Sequence, residues 1–253
     1  MVEYPHLHLT EWPFRMVPNE RSCCFMGDRV HLRAEVKALL QHLSTQPTSS
    51  FHLMWAWFGA GKTHTLKHMA YLCRNNTANI IPIYIEFPRS VKGFIDIYKS
   101  FISNLDGDLI DEAYYEISTD ATKEKTLKEL RQDYPDLANA LRLHFMGQDE
   151  QQDIVIRWLR AECRETRSLK TVGIMRPIQT AEDAIKVIVW IVRLLNLNNK
   201  STGGIKRVVW MLDEFQLIEL LRKPAADEIN SCLHSIFNSC LVYFRIVSSW
   251  SMP

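Results

Sequence analysis

The chain lacks an excess of either charge. Lys and Arg number 30 against 29 Asp and Glu, a formal net charge of +1, so no bulk field draws it to nucleic acid or acidic lipid. Any contact with DNA has to come from a local patch. A cysteine framework is lacking too: Cys23, Cys24, Cys73, Cys163, Cys232 and Cys240 show no C-x-x-C spacing. The adjacent Cys23 and Cys24 have no Cys or His partner at ligand spacing, and free thiols in a reducing compartment are expected. No apolar run is long enough to span a bilayer, and the longest, near Ile185 to Leu195, is broken by Lys186 and Arg193. The opening residues, Met1-Val2-Glu3-Tyr4-Pro5, lack the basic-then-apolar pattern of a signal peptide. These absences argue against a membrane protein and a secreted disulfide scaffold, and the expected location is the cytoplasm.

What is present is an ordinary globular composition, 47% hydrophobic and 23% charged over 253 residues. That length suits one large α/β domain, or one domain with an insertion. The chain is organised around Trp55-Ala56-Trp57-Phe58-Gly59-Ala60-Gly61-Lys62-Thr63-His64. An apolar run, Phe51 to Trp55, precedes it, and a helical pattern from Thr65 to Leu72 follows. Strand, small-residue loop, Gly-Lys-Thr and helix form the context in which a phosphate-binding loop has physical meaning. Backbone N–H groups of Gly59, Ala60, Gly61, Lys62, Thr63 and His64 would face phosphate oxygens, helped by the positive end of the helix dipole. Lys62 would reach the β- and γ-phosphates, and the Thr63 hydroxyl would ligate Mg²⁺. Ala56 stands where the first glycine of the pattern is usual, which removes freedom at positive φ. A chance Gly-Ala-Gly-Lys-Thr is the alternative, and the flanking pattern argues against it.

A second motif predicts the same site. Val208 to Leu212 are apolar on both faces, as in a strand of a parallel sheet covered on both sides, and Asp213-Glu214 follow. Asp213 would hold Mg²⁺ directly or through water. Glu214 would orient and activate an attacking water as general base. The last strand pattern, Leu241 to Val247, ends in Ser248-Ser249, and either hydroxyl is a candidate for contact with the γ-phosphate or that water. His64 and His68, at i and i+4, have no third ligand for a metal.

Between these motifs, Trp12-Pro13-Phe14 and Val17-Pro18 mark an extended arm, because proline and the residue before it resist helix. Leu32, Val36, Leu39, Leu40 and Leu43 have the period of a helix packed on a sheet. Pro82 within Ile80 to Phe87 argues for a sheet edge or a strand starting at Ile83. From Asp106 the pattern turns helical, opening with an acidic run (Asp106, Asp108, Asp111, Glu112, Glu116, Asp120) expected on a solvated face. One helix is expected from Asp149 to Arg164. Arg157, Arg160, Arg164, Arg167 and Lys170 make it and its exit basic, a solvated face or a surface for phosphate backbone or a neighbouring subunit. Thr180 is placed to cap the next helix. Asn196 to Gly204 reads as a polar loop, and Asp227 to Asn238 as a helix.

These residues together resemble AAA+ ATPases of the origin-recognition and STAND-like kind. The resemblance rests on Trp12-Pro13-Phe14, Gly27-Asp28-Arg29, Trp57 to Leu66 and Leu212-Asp213-Glu214-Phe215. Softer patterns, Arg157-Trp158-Leu159-Arg160 before Gly173-Ile174, are similar to ATP-binding proteins of BREX-type phage-defence systems. The resemblance implies an α/β P-loop NTPase fold, a three-layer sandwich around a parallel sheet of order 5-1-4-3-2. It implies ATP with Mg²⁺ as cofactors, Gly27 to Arg29 near the adenine, and Ser248 or Ser249 as sensor. The guanine-reading N-K-x-D pattern is absent. It further implies a homo-oligomer, or a partner chain supplying an arginine finger, with double-stranded DNA as a partner and no membrane. The expected division is an arm and helix over 1–50, the P-loop half over 51–105, a mainly helical insertion over 106–204, and the second half over 205–253. A fifth strand, the arginine finger and the C-terminal lid have no sequence after Pro253, so another chain or a longer protein would supply them. Arg222 and Arg245 are present, but no motif selects them. The expected function is an ATP-hydrolysing switch or motor acting on DNA in phage defence or mobile-element control. A nucleotide-dependent scaffold is the first rival. A small-molecule kinase is the weaker one, since neither acceptor pocket nor arginine-bearing lid is visible.

Overall fold

The computed structural model describes residues 30–46, 48–76, 79–120, 123–197, 206–240 and 244–252. The N-terminal arm, Gly27 to Arg29, Cys23 and Cys24, the Gly203-Gly204 tip and residues 241–243 lie outside the described residues.

Among the described residues the apolar runs become four strands, β1 (Ser50–Trp57), β2 (Ile80–Glu86), β3 (Arg207–Asp213) and β4 (Phe244–Met252). All pair in parallel, in the order β1-β4-β3-β2. This is the run 1-4-3-2 within the expected 5-1-4-3-2. Parallel neighbours need long crossovers, which helices provide. In chain order these are α1 (Val30–Thr45), α2 (Lys62–Asn76), α3 (Phe94–Ser103), α4 (Gly107–Thr119), α5 (Glu124–Asp133), α6 (Pro135–Met146), α7 (Asp149–Leu159), α8 (Thr166–Thr171), α9 (Ala181–Leu197) and α10 (Lys223–Ser239).

Helices cover both faces of the sheet. Val209, Met211 and Val247 meet Val36, Leu40 and Leu43 of α1 and Leu66 and Met69 of α2. On the other face, Val208, Trp210, Leu212, Phe244 and Ile246 join one continuous core with α3, α9 and α10, and the apolar faces of α4 to α8 extend it. Trp210 lies within it, with ring centroids 4.9 Å from Phe101 and 4.8 Å from Phe244. β3 is buried at every position, as its unbroken apolar run requires. Pro82 sits in β2 at the sheet edge, where its missing N–H breaks no ladder. β1, the outer strand on the other side, packs Met54 toward α1 and α2 but leaves Phe51, Leu53, Trp55 and Trp57 exposed on its other face.

Three expectations are corrected. The single helix over 149–164 is two, because Ala161 takes a φ of 54° after Leu159 and turns the chain out of the helix. The acidic run is not wholly solvated. α4 packs against other helices, so Glu116 is buried and accepts from Lys123 Nζ at 2.8 Å, and Asp111 lies 2.6 Å from His144 Nδ1. α9 runs on through Asn196 to Leu197, so the loop begins later than its polar residues suggest. Thr180 does cap α9: its Oγ1 accepts the Asp183 N–H at 3.1 Å, while the Asp183 carboxylate accepts the Thr180 N–H at 3.1 Å. Among the described residues, no helix is long and apolar enough to cross a membrane.

Candidate functional site

Because the four strands are parallel, their carboxyl ends emerge on one side. Strand alternation and register put Tyr84 and Glu86 of β2, Asp213 of β3 and Ser249 and Ser251 of β4 on the α2 face there. The loop from β1 to α2 reaches the same end.

That loop is short. β1 continues to Trp57, and α2 begins at Lys62. Gly59 and Gly61 adopt φ of 76° and 85°, where an L side chain is strained. Ala56 lies inside β1, paired with Ser251, where extended backbone suits any residue. The absence of glycine there therefore costs the loop nothing. Ala60 N–H donates to Trp57 O at 3.2 Å, and Thr65 N–H to Gly61 O at 2.9 Å, starting the helix. The Lys62 ammonium folds back on the strand end, donating to Ala56 O at 3.0 Å and Trp57 O at 2.8 Å.

A cleft of about 600 Å³ separates this loop from the ends of β2 and β3. Gly59, Gly61, Lys62, Thr63 and His64 line one side, Asp213 and Glu214 the other, and Phe58, Lys67, Glu86, Phe87, Arg89, Leu217 and Ser251 complete it. Its size suits a small-molecule ligand. A second cleft of about 620 Å³ opens at the other end of β2, around Arg74, Ile80 and Lys206, and contains none of the motif residues.

Asp213 is 1% exposed, and its carboxylate is held by three donors. Ser249 Oγ donates to Oδ1 at 2.5 Å, Glu214 N–H to Oδ1 at 3.0 Å, and Tyr84 Oη to Oδ2 at 2.8 Å. A carboxylate has about four lone-pair sites, so roughly one remains for a further partner. Glu214 has a φ of 55°, left-handed backbone that costs an ordinary residue about 1–2 kcal/mol. The turn it makes leads into a short 3-10 helix, Phe215–Leu220. Phe215 anchors that turn, with ring centroids 5.9 Å from Phe87 and 6.2 Å from Trp250. Gln216 Nε2 donates to Glu214 Oε2 at 2.6 Å, and Gln216 Oε1 accepts the Ser251 N–H at 3.2 Å.

The geometry thus brings Gly59, Gly61, Lys62, Thr63, His64, Asp213 and Glu214 to one cleft. Ala60 stays in the same loop, and Ser249 reaches the cleft through Asp213. Ser248 points to the opposite face, where its hydroxyl is buried with no hydrogen-bond partner among the described residues. Arg29 lies outside the described residues. Arg245 is buried at the amino-terminal end of the sheet and donates to Gln46 O, while Arg207 donates to Ser44 O, so both close the end of α1. Arg222 is the exposed residue before α10 and is not part of the cleft. Sequence reasoning missed Tyr84, Gln216, Lys67 and Arg89. Only strand register could reveal Tyr84, since it shares a face with Asp213 from a strand 129 positions away.

Among the described residues no group of three or more His, Cys, Asp or Glu could hold a metal. Magnesium bound with nucleotide needs only one or two protein oxygens beside phosphates and water. The Thr63 hydroxyl and the Asp213 carboxylate, lining one cleft, fit that demand. His64 and His68 stack at 6.4 Å along α2, with His68 buried.

No family model, curated protein or solved structure matches the chain. The functional reading therefore rests on the residues of this cleft.

Proposed function

We propose that the chain is an ATP-binding and ATP-hydrolysing P-loop module of the AAA+ kind, acting as an oligomeric switch or motor on double-stranded DNA. The observation that carries this reading is one cleft lined both by a loop with two positive-φ glycines before Lys62-Thr63 and by the consecutive acids Asp213-Glu214.

ATP would lie with its phosphates over the loop, against the amino-terminal N–H groups of α2. Lys62 would turn an N–H from the strand-end carbonyls to the γ-phosphate and offset charge that develops there. Thr63 and Asp213 would hold magnesium, which neutralises phosphate charge when bound. Glu214, opposite the loop, would orient a water for in-line attack and accept its proton. Among the described residues, Arg89 is the arginine that lines the cleft. A further arginine from a neighbouring subunit would raise the rate, so the isolated chain should turn over slowly. The DNA part rests on Arg160, Arg164, Arg167 and Lys170, exposed around α8, a surface suited to phosphate backbone.

The test is ATP turnover with and without double-stranded DNA, beside Lys62→Ala and Glu214→Gln. Turnover raised by DNA, and reduced about 100-fold or more by both substitutions, supports the reading. Tight ATP binding with no turnover under any condition would leave a nucleotide-dependent scaffold instead.

A further inference from the structure

We infer that Gln216 is a positioning residue for Glu214, fixing the direction in which that carboxylate faces the cleft by tying it to the end of β4. The inference rests on the reading of Glu214 as the residue that orients the attacking water.

Gln216 does not line the cleft, so any effect on chemistry has to pass through another side chain. Both ends of its amide are engaged: Nε2 with Glu214 Oε2 at 2.6 Å, Oε1 with the Ser251 N–H at 3.2 Å. A carboxylate can only accept and a backbone N–H can only donate, so these partners also decide which way the amide faces. One Glu214 oxygen is held from behind, and the other is left for a water.

Glu214 needs such a hold for a local reason. Its left-handed backbone, φ 55°, sets it at the corner between β3 and the 3-10 helix, and its side chain has three rotatable bonds beyond that corner. A base must sit within hydrogen-bond reach of the proton it takes, and a displacement of about 1 Å can cost on the order of 100-fold in rate. β4 supplies the reference for both acids. Ser249 holds Asp213 by its hydroxyl, and the backbone N–H of Ser251, two residues on, holds Glu214 through Gln216.

Gln216→Met keeps the length of the side chain and removes the amide, and Gln216→Ala removes both. Each is made in the wild-type chain and in a Glu214→Gln background. The measurements are kcat and KM for ATP, the Kd of a non-hydrolysable ATP analogue, and thermal unfolding to show that each variant folds. We expect kcat to fall about 10-fold or more with KM and Kd nearly unchanged, and no further fall in the Glu214→Gln background. Wild-type turnover that Gln216→Met leaves unaltered overturns this inference alone. The same fractional loss in both backgrounds overturns it too, since that marks a general structural role. A wild-type chain without turnover overturns the ATPase reading and this inference with it.

Discussion

Ser249 Oγ stands 2.5 Å from Asp213 Oδ1 and donates to it across the β3–β4 pair, while Ser248, one residue earlier, faces the other side of the sheet, where its hydroxyl has no partner among the described residues. Two adjacent serines on one strand thus have opposite energetics. Removing a donor from a buried carboxylate costs about 1–3 kcal/mol. Removing a buried hydroxyl that bonds nothing costs little, since its own desolvation is relieved. In urea unfolding, Ser249→Ala should lose about 1–3 kcal/mol, and Ser248→Ala should stay within about 0.5 kcal/mol of the parent or exceed it. On the ATPase reading only Ser249→Ala lowers turnover. Equal losses at both positions would contradict this assignment of faces.

Tyr84 holds the other Asp213 oxygen, with Oη 2.8 Å from Oδ2, and the Lys67 ammonium lies 5.3 Å from the centre of its ring. Tyr84→Phe keeps the ring and deletes the hydroxyl. The expected loss is about 1.5–3 kcal/mol, the range for hydrogen bonds to charged groups. Turnover should then require more Mg²⁺ to reach half its maximum, because the carboxylate is less firmly held. An unchanged Mg²⁺ dependence would separate Tyr84 from the proposed chemistry.

His52 makes stability depend on pH. Burial, then His42, then the Arg245 guanidinium push its pKa below the ordinary 6.5. The imidazole lies 5.7 Å from that of His42, and its Nε2 is 3.0 Å from Ser50 Oγ. A histidine with a depressed folded value is neutral in the fold when it is already protonated in the unfolded chain. The unfolded state then binds more protons, and stability rises with pH over that interval. Its contribution is whole above about pH 6.5 and is lost as the pH falls through the folded value. Melting temperatures from pH 8 to pH 5 should decline below about 6.5, and His52→Gln should flatten that decline. A rise on acidification would reverse the assigned sign.

Much of this was legible because its causes are local. Lys62, Thr63, Asp213 and Glu214 announce themselves by their neighbours in sequence, and Pro82 correctly signals a sheet edge. The unbroken apolar run of β3 signals burial on both faces. What could not be read depends on register and long-range packing. Ser248 and Ser249 differ only by the face each takes once β4 pairs with β3. Tyr84 and Gln216 gain their roles from groups 129 and 35 positions away. The break after Leu159 arises from one left-handed residue, Ala161, which alanine's high helix propensity conceals.

The buried thiols offer a probe of how this sheet opens. Cys73, Cys163, Cys232 and Cys240 are buried and form no disulfide among the described residues. Burial, with Glu228 adding to it, pushes the Cys232 thiol up to about 11, and burial alone pushes Cys240 up to about 12. The thiolate is the reactive form, so both are protected by chemistry as well as by access. Cys240 also marks a junction, since its carbonyl accepts from Ser49 Oγ at 3.0 Å, joining the end of α10 to the start of β1. In a Cys23→Ser, Cys24→Ser background, a thiol reagent at pH 8 should label the native chain slowly, with Cys240 labelled at the rate of global unfolding. Addition of urea should expose all four together if the two faces of the sheet unfold as one unit. Rapid labelling of Cys240 ahead of Cys73 would instead mean that the α10–β1 junction opens locally, while the core between α1, α2 and the sheet stays closed.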